Sequence, residues 1–423
     1  MTDALVGARV LVVGINYAPE TTGIAPYTTA VAEHLAALGA QVTAVTGMPH
    51  YPQWRVAPEY RKALLRQESV NGVRLRRAGH YVPAEQDALK RGAFEASWLP
   101  LGALQSLRSP ADAVVAVSPS LGALPLARLV AARRKVPWAA VVQDLMGNAA
   151  ANGGLRGGGR VASLVGAIER RALQSADLVG VISEGFADAV HRMGVDPGRT
   201  RLLPNWSHVT PSTATREQAR AALGWDRDVF SVVHTGNMGA KQGLDNVVRA
   251  AQEADRRGAA VEFVLVGDGN QRAALQEMGA GVRSLRFVDP VDSASYPLVL
   301  AAADVLLVNE RADMLEMSLP SKLTSYFAAG RAVLGAVPER GWTSAVLDAS
   351  TAAVRVPSEA PDQLLDAALD LAGDDERRNL LGKAASEYCH LRYGSAAGLG
   401  RYADLVRELL NQGPRRGAPR DGA

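Results

Sequence analysis

A single cysteine, Cys389, stands in a chain of 423 residues, so no disulfide can form within it and a reducing compartment is expected. No stretch approaches the roughly 20 apolar residues that span a bilayer. Met1 to Gly7 lacks the charged and apolar regions of a secretory leader, which predicts a chain that stays on the cytoplasmic side. The 7 histidines show no metal-ligand spacing, so no metal or other cofactor is expected. An excess of charge of one sign is also lacking. A formal net charge of +3 gives nucleic-acid binding no global support. Aromatic residues make up only 5% of the chain, yet 48% of it is apolar, enough for large cores in two or three domains.

Positive charge does gather locally. Arg61, Lys62, Arg66, Arg74, Arg76, Arg77, Lys90 and Arg91 crowd one part of the first half, followed by Phe94, Trp98, Leu99 and Leu101. One reading is a dock for an anionic membrane surface, with the aromatic and aliphatic side chains beneath the headgroups; the plainer alternative is a solvated basic face beside a core helix. Asp226-Arg227-Asp228 has the Asp-x-Asp form of metal-dependent sugar transferases, but it precedes a predicted strand instead of ending one, and reads as a solvated turn.

Short apolar strands alternate with helical patterns from end to end, which predicts parallel sheets wound with helices on both faces. The first half carries predicted strands at 10–15, 42–46, 114–117, 139–143, 178–182 and 201–203, and the second at 230–235, 261–266, 285–288, 305–308, 332–334 and 353–356. The Pro204-Asn205-Trp206 run and the polar stretch after it read as the joint. The expected division is 1–206, 207–390, a helix over 391–412 that packs back on the first domain, and a disordered tail over 413–423. The glycine-rich 153–159 stretch is either a loop over a cleft or a linker.

Both halves open with a buried strand, a glycine-containing loop and a long helix. Ligands of wound α/β sheets bind at the carboxyl ends of strands, so the loops around Gly23 and Gly239 are expected to face each other across a cleft. Lys241, in a glycine-bounded turn, can put its ammonium on phosphate oxygens. Lys322 follows a Pro320-Ser321 helix start, against the sense of the helix dipole, and a diphosphate would offset that conflict. A surface lysine after an ordinary cap is the plainer alternative for Lys322. Asp144 ends a strand beside Gln143, as a polar group near a reacting sugar or as a helix cap. His50 and Trp54 lie beyond the second strand, where a saccharide acceptor could stack, or where they simply pack the loop.

Several phrases together carry a resemblance: Gly14 to Ile24, Met48 to Trp54, Val142-Gln143-Asp144, Leu203 to Trp206, Thr235 to Leu244 and Leu319 to Gly330. The chain resembles the WcaI-type branch of family 4 glycosyltransferases over about Arg9 to Tyr402. The resemblance implies a GT-B fold of two Rossmann-like, doubly wound domains facing across a cleft. It also implies a nucleotide-sugar donor held by the second domain, a saccharide acceptor held by the first, retention of configuration, and no essential metal. It places Gly23 near the donor phosphates and makes Lys241 the phosphate-binding lysine. Asn237 stands where many relatives carry arginine. Gly267 matches a glycine turn after a strand, a tight turn being the alternative, and Val291 falls where backbone meets the base. Met317 and Ser325 occupy the positions of two glutamates, the first of which reaches the transferred sugar and the second the ribose. Glu316 is a candidate substitute for the first, and Ser318 and Ser321 are further donor-side candidates.

The expectation is a retaining, metal-independent transferase of hexosyl type acting in exopolysaccharide or cell-surface glycan synthesis. Its acceptor is expected to be a lipid-linked saccharide at the inner membrane face, a soluble one being the alternative, with Lys241, Lys322 and helix amides holding the leaving diphosphate. A sugar-nucleotide epimerase of the same fold and a catalytically weak nucleotide-sugar-binding scaffold are the alternatives.

Overall fold

The computed structural model describes residues 4–84, 88–120, 122–145, 158–313 and 321–413. The chain divides into two compact units, Met1–Asn205 with Gly398–Ala423, and Trp206–Ala397. Of the expected 153–159 loop, residues 153–157 lie outside the described residues, as does the tail beyond Gly413, while Gly158 and Gly159 open a helix.

Unit 1 is built on a sheet whose strands, in chain order, are β1 (Arg9–Val13), β2 (Gln41–Gly47), β3 (Leu65–Val70), β4 (Val73–Ala78), β5 (Ala113–Val117), β6 (Trp138–Val142), β7 (Leu178–Val181) and β8 (Thr200–Leu202). They lie in the order β3-β4-β2-β1-β5-β6-β7-β8. All neighbours are parallel except β3 and β4, which form an antiparallel hairpin at one edge. Residues of β1, β5 and β6 are buried almost throughout, as expected for strands covered on both faces.

The β3–β4 hairpin departs from the strand pattern read in the sequence. Its residues are largely polar, and one face stays solvated, so no continuous apolar run marks it. Asn71 and Gly72 both have positive φ, 48° and 81°, the two-residue turn whose twist matches a hairpin. Next comes a long helix, α2 (Ala88–Leu107), after α1 (Ala25–Ala37). Phe94 and Trp98 on α2 are core residues, 1% and 0% exposed. They cannot dip into a membrane surface, because their rings already fill the interior. Arg77 is also buried: its Nε donates to Glu68 at 3.0 Å and an Nη to the Ala18 carbonyl at 2.6 Å.

Unit 1 continues with α3 (Ala123–Arg134), α4 (Gly158–Ser175) and α5 (Glu184–Arg192). Unit 2 opens with α6 (Arg216–Leu223), whose start is fixed by a reciprocal capping box between Thr215 and Gln218. Its strands are β9 (Phe230–Thr235), β10 (Val261–Val266), β11 (Leu285–Val288), β12 (Val305–Asn309), β13 (Ala332–Val337) and β14 (Ala353–Pro357). All are parallel, in the order β11-β10-β9-β12-β13-β14. The order reverses between β9 and β12, the kind of point where such sheets bind ligands.

Alternation along the strands feeds two cores. Val233, Val264, Leu306 and Val333 face one, and Val232, Phe263, Leu307 and Leu334 face the other. Each such side chain contributes about 1.5–3 kcal/mol when fully buried. Helix α7 (Asp245–Arg257) lays Val247, Val248, Ala251 and Ala254 on the second core and ends at Gly258, whose φ of +64° suits glycine. The remaining helices are α8 (Arg272–Met278), α9 (Tyr296–Ala302), α10 (Ser321–Ala328), α11 (Trp342–Ser350), α12 (Pro361–Ala372), α13 (Asp375–Tyr388) and α14 (Ser395–Asn411).

A buried ion pair ties α6 to the sheet. Arg220 donates to Asp304 Oδ2 and to Ser231 Oγ, each at 2.6 Å, and Asp304 also pairs with Arg216.

Candidate functional site

In unit 2 the loops after β9 and β10 are stitched together by backbone. Gly236 donates its amide to Val266 O, Met238 to Asp268 O, and Gln271 to Met238 O, at 2.8–2.9 Å. A side chain at Gly267, where φ is +136°, would collide with the Gly236 carbonyl, and one at Gly269 with Met238. Loop packing by itself therefore requires glycine at both positions.

The turn that carries Lys241, Ala240–Gln242, is held from β12. Asn309 Nδ2 donates to the Gln242 and Gly243 carbonyls at 2.7 and 2.9 Å, and its Oδ1 accepts from Asn246 at 2.9 Å. The Lys241 carbonyl accepts from Arg311 N at 3.2 Å, while the lysine residue is exposed. Gln242 Oε1 accepts from Gly239 N at 3.1 Å and lies 3.4 Å from Asn237 Nδ2. Asn237 is exposed, and Gly239 is buried with an ordinary φ of −102°.

Lys322 reaches the same place from another element. It sits in the first turn of α10, and its Cε lies 4.0 Å from where a Cβ on Gly236 would be. Its Nζ donates to Nε2 of His234 on β9 at 3.0 Å. His234 is fully buried, and burial together with the nearby lysine keeps its imidazole well below its ordinary range, so the ring is neutral. Burial likewise brings the Lys322 amine down to about 7, opposed by buried Glu310 beyond the end of β12. Glu310 accepts from Thr343 Oγ1 at 2.8 Å.

Helix α10 begins at Ser321 itself, which is exposed. Its carbonyl accepts from Thr324 Oγ1 at 2.7 Å. Ser325 is buried and hydrogen-bonded to Tyr296, whose hydroxyl lies 3.0 Å from Thr235 Oγ1; Tyr326 OH accepts from Thr235 N at 2.9 Å. This hydroxyl network, and not solvent, surrounds Ser325. Val291 packs against the core beyond β11. Glu316 and Ser318 lie outside the described residues.

In unit 1, Gly23 has φ +66°, and a Cβ there would press on the Tyr51 ring at 3.1 Å. The β1 and β2 loops meet at Glu20, a residue to which the sequence reading gave no role. Its Oε1 accepts from the amides of His50 and Tyr51 at 2.8 and 3.0 Å, and its Oε2 from Asn16 at 2.8 Å. Burial raises its carboxyl above the usual range, and those donors pull the other way.

His50 is 3% exposed, with Nδ1 3.0 Å from Met48 O and its ring packed edge-on to Trp54 and His80. It is interior packing and cannot stack on an acceptor. Trp54 is half-buried, with its ring against Phe94 as well. Burial brings His80 down to about 4.

Asp144 is exposed beyond β6, where its Oδ1 accepts from Leu145 N at 2.8 Å; Gln143 exchanges hydrogen bonds with Asn205 and donates to Tyr402 OH. Asp226 and Asp228 form the expected turn, the Asp228 amide donating to Asp226 Oδ1 at 2.9 Å. Among the described residues, no group of three His, Cys, Asp or Glu could hold a metal ion, and no helix is long and apolar enough to cross a membrane.

The glycosyl transferase 4-like domain family matches residues 22–206, and the glycosyl transferases group 1 family matches residues 229–374. The putative colanic acid biosynthesis glycosyl transferase WcaI of Escherichia coli K12 is 34% identical over 336 residues, 76% of this chain and 81% of its own. The chain belongs to the family 4 glycosyltransferases. The alpha-D-kanosaminyltransferase of Streptomyces kanamyceticus is 25% identical over 252 residues, 57% of this chain and 63% of its own.

The two-unit architecture is the GT-B fold of family 4 glycosyltransferases. Sucrose-phosphate synthase from Thermosynechococcus elongatus superposes with a TM-score of 0.69 at 18% identity, over 96% of this chain and 100% of that one. HepE from Anabaena, solved in complex with UDP-glucose, superposes with a TM-score of 0.65 at 14% identity, over 95% and 99%.

Proposed function

We propose that this glycosyltransferase moves a hexosyl group, with retention, from a nucleoside-diphosphate sugar to a lipid-linked saccharide in exopolysaccharide synthesis on the cytoplasmic side. The observation that carries the donor half is the convergence of Lys241 and Lys322 on one glycine loop at the point where the unit 2 sheet reverses order. Two lysines and loop amides there suit a departing diphosphate, on which negative charge grows as the glycosidic bond breaks. That charge compensation needs no metal. The liberated phosphate oxygen then takes the acceptor's proton as the new bond forms on the same face. The name of WcaI supports an exopolysaccharide role, and the UDP-glucose complex of HepE supports a nucleotide-sugar donor.

A membrane-facing acceptor calls for a basic surface. With Phe94 and Trp98 in the core, the exposed Arg61, Lys62 and Leu64, the last 74% exposed, are the candidates for it. Binding to anionic vesicles that weakens with salt supports this contact. Equal binding to neutral vesicles removes it.

The donor is identified by melting the protein against UDP-, GDP-, ADP- and dTDP-sugars, since a ligand of the folded state raises the melting temperature. A shift with one base class, followed by sugar transfer in a panel of saccharide acceptors, is the expected result. The second reading, a weak donor-binding subunit, is favoured by buried Ser325 at a position where the family resemblance implies a carboxylate. Donor binding without turnover across the acceptor panel would establish it.

A further inference from the structure

Lys322 is placed unusually for a cation. Its amine end lies against fully buried His234, and among the described residues His234 Nε2 is the only hydrogen-bond partner of its Nζ. Lys322 is half-buried, and a single neutral imidazole nitrogen gives its ammonium neither an anion nor a full set of acceptors. Among the described residues, the titratable groups that face it are His234 on β9 and Glu310 beyond β12. Glu310 favours the charged amine but is occupied by Thr343. The missing anion has a place to come from, because Lys322 lies against the Gly236 turn that opens the Lys241 loop.

We propose that His234 is a positioning residue that fixes the Lys322 amine beside the Gly236 turn, and that arrival of the donor diphosphate draws a proton from solvent onto Lys322 Nζ. Proton uptake and donor binding are thus one event. The inference rests on the donor reading above and adds the coupling and the role of His234. The protonation balance fits the geometry: burial brings the empty-site amine near 7, and a diphosphate beside it raises that value, so a neutral amine becomes an ammonium on binding. By linkage, affinity is flat at pH values below the empty-site titration. Above it, affinity falls by as much as tenfold per pH unit until the occupied-site titration is reached.

The experiment is calorimetric titration of the full chain with UDP-glucose, GDP-mannose, ADP-glucose and dTDP-glucose. Their diphosphates are esterified at both ends and do not themselves titrate near neutrality. At pH 8, in buffers of different ionisation enthalpy, the ligand that binds should take up most of one proton, and Kd should weaken from pH 6.5 to 9. Lys322→Met should bind more weakly with no uptake and a flat pH profile. His234→Leu, which removes the acceptor that stabilises the ammonium, should move the onset of the fall to lower pH. His234→Gln, which keeps an acceptor, should not lower it, and this variant stands in if the leucine variant fails to fold. Buffer-independent heats for the wild type, uptake that persists in Lys322→Met, or a lowered onset in His234→Gln would overturn the proposal while leaving the donor site intact. Failure of all four sugars to bind overturns the donor reading itself, and the coupling with it.

Discussion

Replacing Lys241 with Ala should separate chemistry from architecture at the proposed donor site. The turn is held through its backbone: Asn309 grips the carbonyls of Gln242 and Gly243, and Arg311 N bonds the Lys241 carbonyl. The residue is exposed, so truncation should change stability by no more than about 0.5 kcal/mol. In the transition state the loss is larger. An ammonium about 4 Å from a phosphoryl oxygen, at an effective dielectric constant of about 20, is worth roughly 4 kcal/mol. Loss of one oxyanion donor in enzymes costs about 2.7–4 kcal/mol. Lys241→Ala should therefore lower kcat about a hundred- to a thousandfold with an unchanged melting temperature.

Asn309→Ala is the contrasting perturbation. It leaves two carbonyls and the Asn246 amide short of partners, costs about 1–3 kcal/mol of stability, and lowers activity by loosening the turn. Melting curves and single-turnover rates on both variants, with the identified donor and acceptor, check the pair. Near wild-type turnover by folded Lys241→Ala would refute the assignment of that lysine to the diphosphate.

Other outcomes follow from the same geometry. Asp304→Ala strands the buried Arg220 guanidinium and should destabilise the protein by about 3–5 kcal/mol in denaturant titrations, whereas an effect below about 1 kcal/mol would show that the pair is solvated. His80 titrates near 4 when folded, against about 6.5 when unfolded, so the unfolded chain binds the proton first as pH falls. Its contribution is present above pH 6.5 and lost towards pH 4. His80→Gln should flatten the fall in stability between pH 7 and 4.5 by on the order of 2 kcal/mol, measured as melting temperature or urea midpoint. Sugar transfer should survive EDTA; activity abolished by chelation and restored by Mg²⁺ or Mn²⁺ would count against lysine-based charge compensation.

The strands covered on both faces were legible because they are apolar over most of their length. Runs such as Val305–Asn309 and Val261–Val266 can hardly be anything but buried parallel strands bounded by turns. The β3–β4 hairpin was not legible by that rule, since one of its faces is wet and its alternation is carried by Arg, Gln and Glu. The Asn71-Gly72 turn was the signal that could have found it. Basic residues near Phe94 and Trp98 suggested a surface, but sequence proximity does not say which face of α2 a ring takes. Both rings point to the core, and Arg77 is buried with them.

The two lysines proposed for the donor side could be singled out in the sequence because a lysine in a glycine-bounded turn or in the first turn of a helix has few structural uses. The groups that hold those lysines in place were not, because they read as strand interior. His234 is the fifth residue of β9 and Asn309 the last of β12, both buried in runs that otherwise look like core. A buried polar residue costs stability unless it is partnered, so its presence at the carboxyl end of a central strand asks what it partners. For Asn309 the answer is the backbone of the Lys241 turn, and for His234 it is Lys322. These two strands flank the reversal of strand order, the place in the sheet where the adjoining loops diverge and a ligand can enter. Polar residues in the last two positions of the strands on either side of that reversal are therefore the sequence signal for the supporting residues, and they locate the site from within the sheet instead of from the loops.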